Sequence, residues 1–281
     1  MKINKYIFWG MTQSTLIHAF LMSVALTCLF PIFWMVRCAF MTNETVFVDK
    51  AFIPHVLNFG NFAIAWTKGS FAVYFLNSVI YTVSVVTGIV LTASLAAFSF
   101  SRLKFPGKNV IFYMFVAAMM IPLPGSFIAL FVLMNKLHLI NTRFGYILCM
   151  INVGLSMSIL LLKTFFDKMP HDLEDAARID GCSKIGLWWH VALPMARPAI
   201  AVIVIFNSLN VWNEYILATL LLGDPQLMPL QRGLMVFQGA NSTNYPVLMA
   251  ALTMAAIPIV LICLTMQKHI VKVLSSGEVV W

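Results

Sequence analysis

Long apolar runs separated by short polar stretches divide the chain into six segments, each with the length of a membrane crossing. A bilayer core needs about 20 mainly apolar residues for one helical crossing. The first run spans residues 15–36, and a polar stretch at 37–70 follows it. The five later runs lie at about 71–99, 109–134, 144–163, 197–221 and 246–267. The pattern predicts an all-α polytopic membrane protein with six transmembrane helices.

Helix-breaking residues interrupt three of these runs. The third contains Pro122, Pro124 and Gly125 close together, whereas the first and sixth each contain one proline, Pro31 and Pro258. Proline removes a backbone hydrogen bond and kinks a helix. Lipid tolerates the freed groups only where a neighbouring helix or a cavity satisfies them. Pro122 is therefore a candidate for lining a translocation path, and a packing kink explains it equally well.

Composition places the chain in the membrane class. Hydrophobic residues make up 61% and charged residues 10% of the 281 positions, with a mean hydropathy of +0.90. Soluble domains carry about 25% charged residues, so the polar fraction is too small for a surface that faces water. The formal net charge of +8 does not indicate nucleic-acid binding, because excess Lys and Arg in a membrane protein marks cytoplasmic loops.

The distribution of Lys and Arg predicts the orientation. With the N-terminus inside, twelve of the eighteen basic residues fall on the inner side of the membrane. Because positive loops remain in the cytoplasm, we expect both termini there. The cytoplasmic segments then include 1–14, the basic turn at 102–108, the loop at 170–194 and the tail at 268–281, and the segment 37–70 is extracytoplasmic.

The loop at 170–194 is the main polar interruption. Asp172 can accept the free N–H groups of a helical first turn, with Asp175 three residues on in the capping-box position. Gly181 lies where glycine commonly ends a helix. A second helical stretch is expected at 183–190, limited by Pro194. The loop holds four of the ten acidic residues of the chain, Asp172, Glu174, Asp175 and Asp180. A solvated connection and a docking surface both fit these features.

A few polar residues lie within the apolar runs. Glu214 is an acid inside the fifth run, and an ionised acid at a helix centre costs about 2.5–3.5 kcal/mol on insertion scales. It therefore faces a translocation path, a partner helix or the outer interface, where its neighbours Trp212 and Tyr215 are typical residues. Asn213 beside it is a second path candidate. Asn77 in the second run is a third, although such amides more often hold helices together.

Motifs for chemistry are absent from the sequence. No Gly-x-x-x-x-Gly-Lys-Ser/Thr loop occurs, so we expect no ATP site of that kind in this chain. The six histidines are scattered without a His-x-x-x-His pair, and no metal site is predicted. No Gly-x-Ser-x-Gly nucleophile turn is present. We therefore expect no enzyme, cofactor or metal here, and any ATP-driven work needs a second polypeptide.

The acidic loop resembles the EAA loop of ABC-importer permeases. That motif is an acid and two alanines, a glycine four residues later, nine residues, and Ile-x-Leu-Pro. The matching positions are Asp175-Ala176-Ala177, Gly181 and Val191-Ala192-Leu193-Pro194, with Asp for the usual Glu and Val for the usual Ile. Trp212-Asn213-Glu214 also resembles an element of carbohydrate-uptake permeases. Over most of residues 15–272 the chain is similar to the short, six-helix subunit of maltose-transporter-like systems.

This resemblance implies the type I ABC-importer permease fold, with a permease core at 71–267 and a cytoplasmic coupling helix. It implies a complex with a homologous permease, two ATP-binding subunits and an extracytoplasmic solute-binding protein. The location would be the cytoplasmic (inner) membrane of a prokaryote. ATP would bind only to the partner subunits, and the cargo would be a sugar or oligosaccharide. In the family, the loop docks into a cleft on the ATPase.

The resemblance also assigns roles within the loop. Ala176 and Ala177 would permit close packing on the ATPase, Gly181 would allow the turn, and Pro194 would close the motif. The acids would meet basic groups of the ATPase; they are Asp172, Glu174, Asp175 and Asp180. The chain departs from the family in its last residues, where the usual Lys-Gly tail is missing, so the resemblance does not extend to a contact of the tail with the ATPase.

Three other functions remain open at this point. A glycerol-3-phosphate permease of the same family would need basic residues along the path, and none is clear within a run. An ion-coupled secondary transporter or channel would use Glu214. A membrane-embedded enzyme lacks any nucleophile–base or metal constellation.

Overall fold

The computed structural model describes residues 3–68, 70–121, 123–237 and 243–276, and no strand occurs within these ranges. The backbone forms helices joined by short turns, as the apolar pattern predicts. The chain divides into two compact units. One comprises residues 1–69 and 236–254, and the other comprises residues 70–235 and 255–281.

The first unit is built around a long N-terminal helix, α1 (Ile3–Ala39). Residues 14–34 of this helix are all exposed, so the side chains of that apolar stretch are available to lipid or to another subunit, whereas Arg37, Cys38 and Ala39 at its end are buried. The predicted polar stretch contains a short helix, α2 (Gly60–Lys68).

One arginine organises the turn after α1. Arg37 is buried, and it donates from Nε to Ala51 O and from Nη2 to Asp49 O, both at 2.8 Å. Its guanidinium also lies 4.6 Å from the centroid of the Trp34 ring, a cation–π arrangement. These contacts fold the segment that follows α1 back onto the end of the helix.

The core of the second unit lies between two long helices, α3 (Phe71–Arg102) and α6 (Arg143–Asp167). Tyr81 and Tyr146 are fully buried there, with their rings edge to face at 4.7 Å. Such aromatic pairs add about 0.5–1.5 kcal/mol beyond the area they bury. These helices correspond to the second and fourth predicted runs.

The third predicted run is divided into α4 (Lys108–Ala118) and α5 (Leu123–Lys136). The break between them falls where the sequence predicts an interruption. Pro122, the residue proposed there as a path candidate, lies outside the described residues. Each of these apolar helices is short, so a single crossing at 109–134 remains a prediction.

The fifth predicted run also forms two helices, α10 (Arg197–Asn213) and α11 (Ile216–Leu221), rather than one. The chain then passes through a 3₁₀ turn (Pro225–Leu227) and the short helix α12 (Leu230–Gly233). A long helix, α13 (Tyr245–Ser276), closes the described chain and contains the sixth run. Helices α7 to α9 lie in and just after the acidic loop, between residues 172 and 195.

A buried polar contact fixes α10 against α6. Asn207 donates from Nδ2 to Ser158 Oγ at 3.2 Å and to Ile203 O at 2.9 Å. Gly154 makes this approach possible, because a Cβ there would lie 2.2 Å from Asn207 Oδ1. Asn207, in the fifth run, thus holds two helices together, which is the role predicted for amides within the apolar runs.

Within the described residues, four helical stretches are long and apolar enough to cross a membrane. The count rises to five when Lys184–Met195 and Arg197–Asn213, which meet at a bend of 77°, are taken as one broken span. The prediction of an all-helical membrane protein is confirmed. Six crossings and the orientation of the termini remain predictions.

Candidate functional site: the acidic loop and the clamp region

The acidic loop begins with a short helix, α7 (Asp172–Ile179). The predicted cap at Asp172 is wrong, because Asp172 is itself the first helical residue and His171 precedes it in a helical conformation without a side-chain cap bond. The His171 ring lies instead 3.0 Å from Arg102 Nη1. Three acids still occupy the first turn of α7, where they complement the positive end of the helix dipole.

The predicted end of this helix at Gly181 is confirmed. Gly181 has φ +82°, a left-handed conformation that glycine adopts without strain. Cys182 donates its N–H to Ala177 O and Gly181 donates to Arg178 O, both at 3.0 Å. These two bonds form a Schellman motif, which satisfies the last carbonyls of the helix.

The second helical stretch runs farther than predicted. Ser183 caps α8 (Lys184–Leu187) by accepting from Gly186 N at 3.1 Å. A π-helical segment, Trp188–Ala192, and α9 (Leu193–Met195) continue it. The prediction that Pro194 limits the stretch is wrong. The preceding π turn accounts for this, because local π adjustment is one way in which helices accommodate proline.

Most of the predicted docking residues of this loop are exposed. Ala177 and Pro194 are partly buried, and Ala177 packs against the core. The exposed ones are Asp172, Asp175, Ala176, Asp180 and Gly181. The loop therefore presents carboxylates and a small-residue turn to its surroundings.

Several exposed apolar residues accompany these acids and were not predicted. Ile179 is 87% exposed, Ile185 is 72% exposed, and Trp189 is 51% exposed. Exposed apolar groups beside charged ones are typical of interaction surfaces. Their apolar character within a polar stretch was the sequence signal that could have identified them.

Glu174 does not share the exposure of its neighbours. It forms an ion pair with Arg102, the last residue of α3, and each side chain is only 4% exposed. Its second oxygen lies 3.7 Å from Arg178 on the next turn. The resemblance would set Glu174 against an ATPase, whereas in the structure this carboxylate is turned inward.

Away from this loop, we give the name clamp region to four residues of the second unit whose side chains bind backbone groups between residues 217 and 228. They are Asn77, Tyr81, Asn141 and Glu214. Asn141 has φ +58° and accepts through Oδ1 from Gly223 N at 3.1 Å and Asp224 N at 2.9 Å.

Glu214 lies between α10 and α11 and caps the second of these helices. Its carboxylate accepts from Leu217 N at 2.7 Å and from Ala218 N at 3.0 Å. Tyr146 donates its hydroxyl to the same carboxylate at 3.2 Å. Asn213 is exposed, and its Oδ1 lies 3.4 Å from Gln231 Nε2. Glu214 is therefore engaged on both oxygens by the chain itself.

Asn77 is 1% exposed and all of its amide atoms have partners. Its Nδ2 donates to Gln226 O at 2.8 Å and Met228 O at 3.0 Å, and its Oδ1 accepts from Arg143 Nη2 at 2.8 Å. Tyr81 donates to Leu227 O at 2.7 Å. Because buried polar groups require partners, these contacts account for Asn77 without a ligand.

Within the described parts of the chain, no group of three or more His, Cys, Asp or Glu residues is arranged to hold a metal ion. The chemistry that the site offers is recognition: exposed carboxylates, exposed apolar side chains and a left-handed turn.

Known proteins resemble this chain over most of its length. Residues 84–275, which include the acidic loop, match the family described as binding-protein-dependent transport system inner membrane component. A diacetylchitobiose uptake system permease protein of Streptomyces coelicolor is 31% identical over 262 residues, covering 92% of this chain and 87% of that protein. An arabinooligosaccharides transport system permease protein of Bacillus subtilis is 28% identical over 264 residues, covering 92% and 93%.

A solved structure shares the fold. It is a bacterial ABC transporter involved in the import of the acidic polysaccharide alginate, and one of its chains superposes with a TM-score of 0.79 at 25% sequence identity. The match covers 93% of this chain and 96% of that chain.

Proposed function

The chain belongs to the family of binding-protein-dependent transport system inner membrane components, and on this basis we propose that it is the membrane permease of an ABC importer for a sugar or oligosaccharide. The observation that carries this function is the likeness, along about nine-tenths of the chain, to permeases named for diacetylchitobiose and arabinooligosaccharides. The family is one of transport subunits, so the enzyme hypothesis falls away. The same likeness favours carbohydrate over glycerol-3-phosphate or an ion-coupled transporter.

Such a permease works in a complex. We place this chain beside a homologous permease, two ATP-binding subunits and an extracytoplasmic solute-binding protein, in the inner membrane of a prokaryote. ATP is bound by the partner subunits. In this arrangement both termini lie in the cytoplasm, and α4 with α5 makes the third of six crossings.

The acidic loop is the proposed contact with the ATPase. Its exposed acids, Asp172, Asp175 and Asp180, face basic groups on the partner, while the exposed Ile179 and Ile185 add apolar contact. Ala176 lies on the same exposed helix and allows close approach. Closure of the ATPases displaces the loop, and the helices then alternate between inward-open and outward-open states, which is a two-state equilibrium biased by ATP.

Few residues of this chain are proposed to line the path for the sugar. Of the four path candidates, we retain Asn213, which is exposed, and Pro122, which stays a prediction. Asn77 and Glu214 are proposed to have a structural role, because their hydrogen bonds are made within the chain.

Loss of uptake tests the transport function. A strain that lacks the chain is offered labelled diacetylchitobiose and arabinooligosaccharides, and uptake of at least one is expected to fall to background and return with the wild-type chain. Affinity-tagged chain purified in detergent is expected to retain an ATP-binding subunit.

One result would contradict the proposed function. Transport by the purified chain alone in liposomes, driven by an ion gradient without ATP, would establish a secondary transporter instead.

A further inference from the structure

Arg102 connects three parts of the second unit at the cytoplasmic loop. It is the last residue of α3, and its Nη2 donates to Met169 O at 2.7 Å. Its Nη1 lies 3.0 Å from His171 Nε2, and its Nε pairs with Glu174. Met169 and His171 belong to the short segment that joins α6 to α7, and Glu174 lies in the first turn of α7. One side chain at the end of α3 therefore holds both the linker and the loop helix.

The geometry of the contact requires arginine. A guanidinium is planar and presents donors in several fixed directions, so it can bind a carbonyl, a ring nitrogen and a carboxylate at once, whereas a lysine ammonium is a compact point charge. Because Arg102 and Glu174 are each 4% exposed, removal of either leaves the other as a buried charge without its main partner. The contact is thus firm, in contrast to the exposed pair of Arg178 and Asp175 on α7.

The neighbouring contacts tie α3 to α6 at the same level. Ser101 donates its hydroxyl to Asp167 Oδ1 at 2.7 Å, and α3 packs along α6 through the buried tyrosine pair. The loop helix α7 is covalently continuous with α6 through residues 168–171. The ion pair between Arg102 and Glu174 adds a direct link between α7 and α3.

We propose that Arg102 is a positioning residue that transmits displacement of α7 to α3, through its ion pair with Glu174. This inference rests on the proposed function, in which the loop is displaced by the ATPases. Two long helices, α3 and α6, then move together when the loop moves. Glu174 acts here as the internal end of the link and not as a contact with the ATPase, which separates it from Asp172, Asp175 and Asp180.

The test separates ATP hydrolysis from transport. Arg102→Gln and Glu174→Gln are made in the tagged full-length chain and expressed with the whole transporter. Three quantities are measured: the ATP-binding subunit retained on purification, the rate of ATP hydrolysis, and uptake of the oligosaccharide whose uptake depends on the wild-type chain. For both variants we expect retention and hydrolysis to persist while uptake per ATP falls about tenfold, a typical size for coupling between sites.

Arg102→Lys and the charge reversal add a readout that simple loss of folding would not give. Arg102→Lys is expected to give an intermediate uptake per ATP, because the charge remains but the planar donor set does not. The double variant Arg102→Glu, Glu174→Arg is expected to transport better per ATP than either single reversal, because it restores a pair of opposite charges.

The matched control is Lys163→Gln. Lys163 pairs with Asp167 at 2.6 Å within α6, where both side chains are more exposed, and such surface pairs contribute about 0–1 kcal/mol. This variant removes a nearby ion pair that does not reach α7, so uptake per ATP is expected to stay at the wild-type value.

Several results would overturn the inference. Normal uptake per ATP in Arg102→Gln would do so, as would an equal loss of retention, hydrolysis and uptake, which marks a purely structural residue. A double reversal no better than the single reversals would also count against the ion pair. If the wild-type chain itself retains no ATP-binding subunit, the proposed function fails instead, and the two failures are thereby distinguished.

Discussion

The clamp region and the acidic loop both concentrate polar residues in an apolar chain, yet they use them in opposite ways. In the clamp region, Asn77 and Glu214 direct their polar atoms to the backbone or side chains of the same chain. In the acidic loop, Asp175 and Asp180 remain exposed. Both sets stand out in the sequence, and the acids of the second set are the ones exposed to a partner. A polar residue in an apolar chain is therefore only a candidate for a functional site. Its exposure shows whether it is able to bind a partner.

The two regions also differ in how they are held. Several hydrogen bonds to backbone groups distribute the restraint in the clamp region, and each contributes about 0.5–1.5 kcal/mol. The loop helix is held by one buried ion pair, by the packing of Ala177 against the core and by the turn at Gly181. We expect substitutions in the clamp region to lower stability, and substitutions in the loop to affect transport more than stability.

The largest expected effect is that of Gly233→Ala, beside the clamp region. A Cβ at Gly233 would lie 2.1 Å from Tyr74 Cδ2, against a buried ring. Overpacking of this kind costs about 1–3 kcal/mol, so we expect a lower thermal unfolding midpoint in detergent. Gly223→Ala is the control, since a Cβ there meets nothing within 4 Å. Equal midpoints for the two variants would show that this region can relax, contrary to a rigid clamp.

Gly181→Ala should separate stability from transport. A left-handed backbone costs a non-glycine residue about 1–2 kcal/mol, and a change of φ here would reorient α7 relative to α8. Gly107→Ala imposes similar strain, since Gly107 has φ +75° and equally open surroundings, but it lies outside the loop. We expect similar unfolding midpoints and a much lower uptake for Gly181→Ala only. Equal uptake by the two variants would remove the special role of this turn.

Glu214→Ala has the smallest expected effect and tests the structural role given to this acid. It removes a carboxylate that accepts from two N–H groups of α11, and loss of a helix cap costs about 1 kcal/mol. Uptake should fall only in proportion to the folded protein recovered, with an unchanged KM for the sugar. A raised KM at normal stability would return Glu214 to the translocation path and weaken the contrast between the regions.

The sequence anticipated those features whose causes are local. Runs of apolar residues predicted α3 and α6, because length and hydropathy are sufficient to mark a helix that can cross lipid. Three breakers within a few residues predicted the interruption between α4 and α5. Gly181 predicted its own helix end, because the requirement for φ above zero is a property of that single position.

Features that depend on distant partners were missed. The apolar pattern continues through Glu214, so it gave no sign that the helix ends at Asn213 and that the acid caps the next one. Glu174 and Asp175 are adjacent acids in the sequence, and only the position of Arg102, at the end of another helix, makes one buried and the other exposed. The sequence likewise gave no sign of the π segment that precedes Pro194.

The turn at Gly181 limits the amino acids that can replace this residue. An L-configured Cβ would touch nothing within 4 Å, so the position does not require a small residue. What it requires is a backbone without the handedness of ordinary amino acids, since φ is +82°. Glycine is the one coded residue that is achiral, and so a position with open space around it nevertheless favours glycine over L-amino acids.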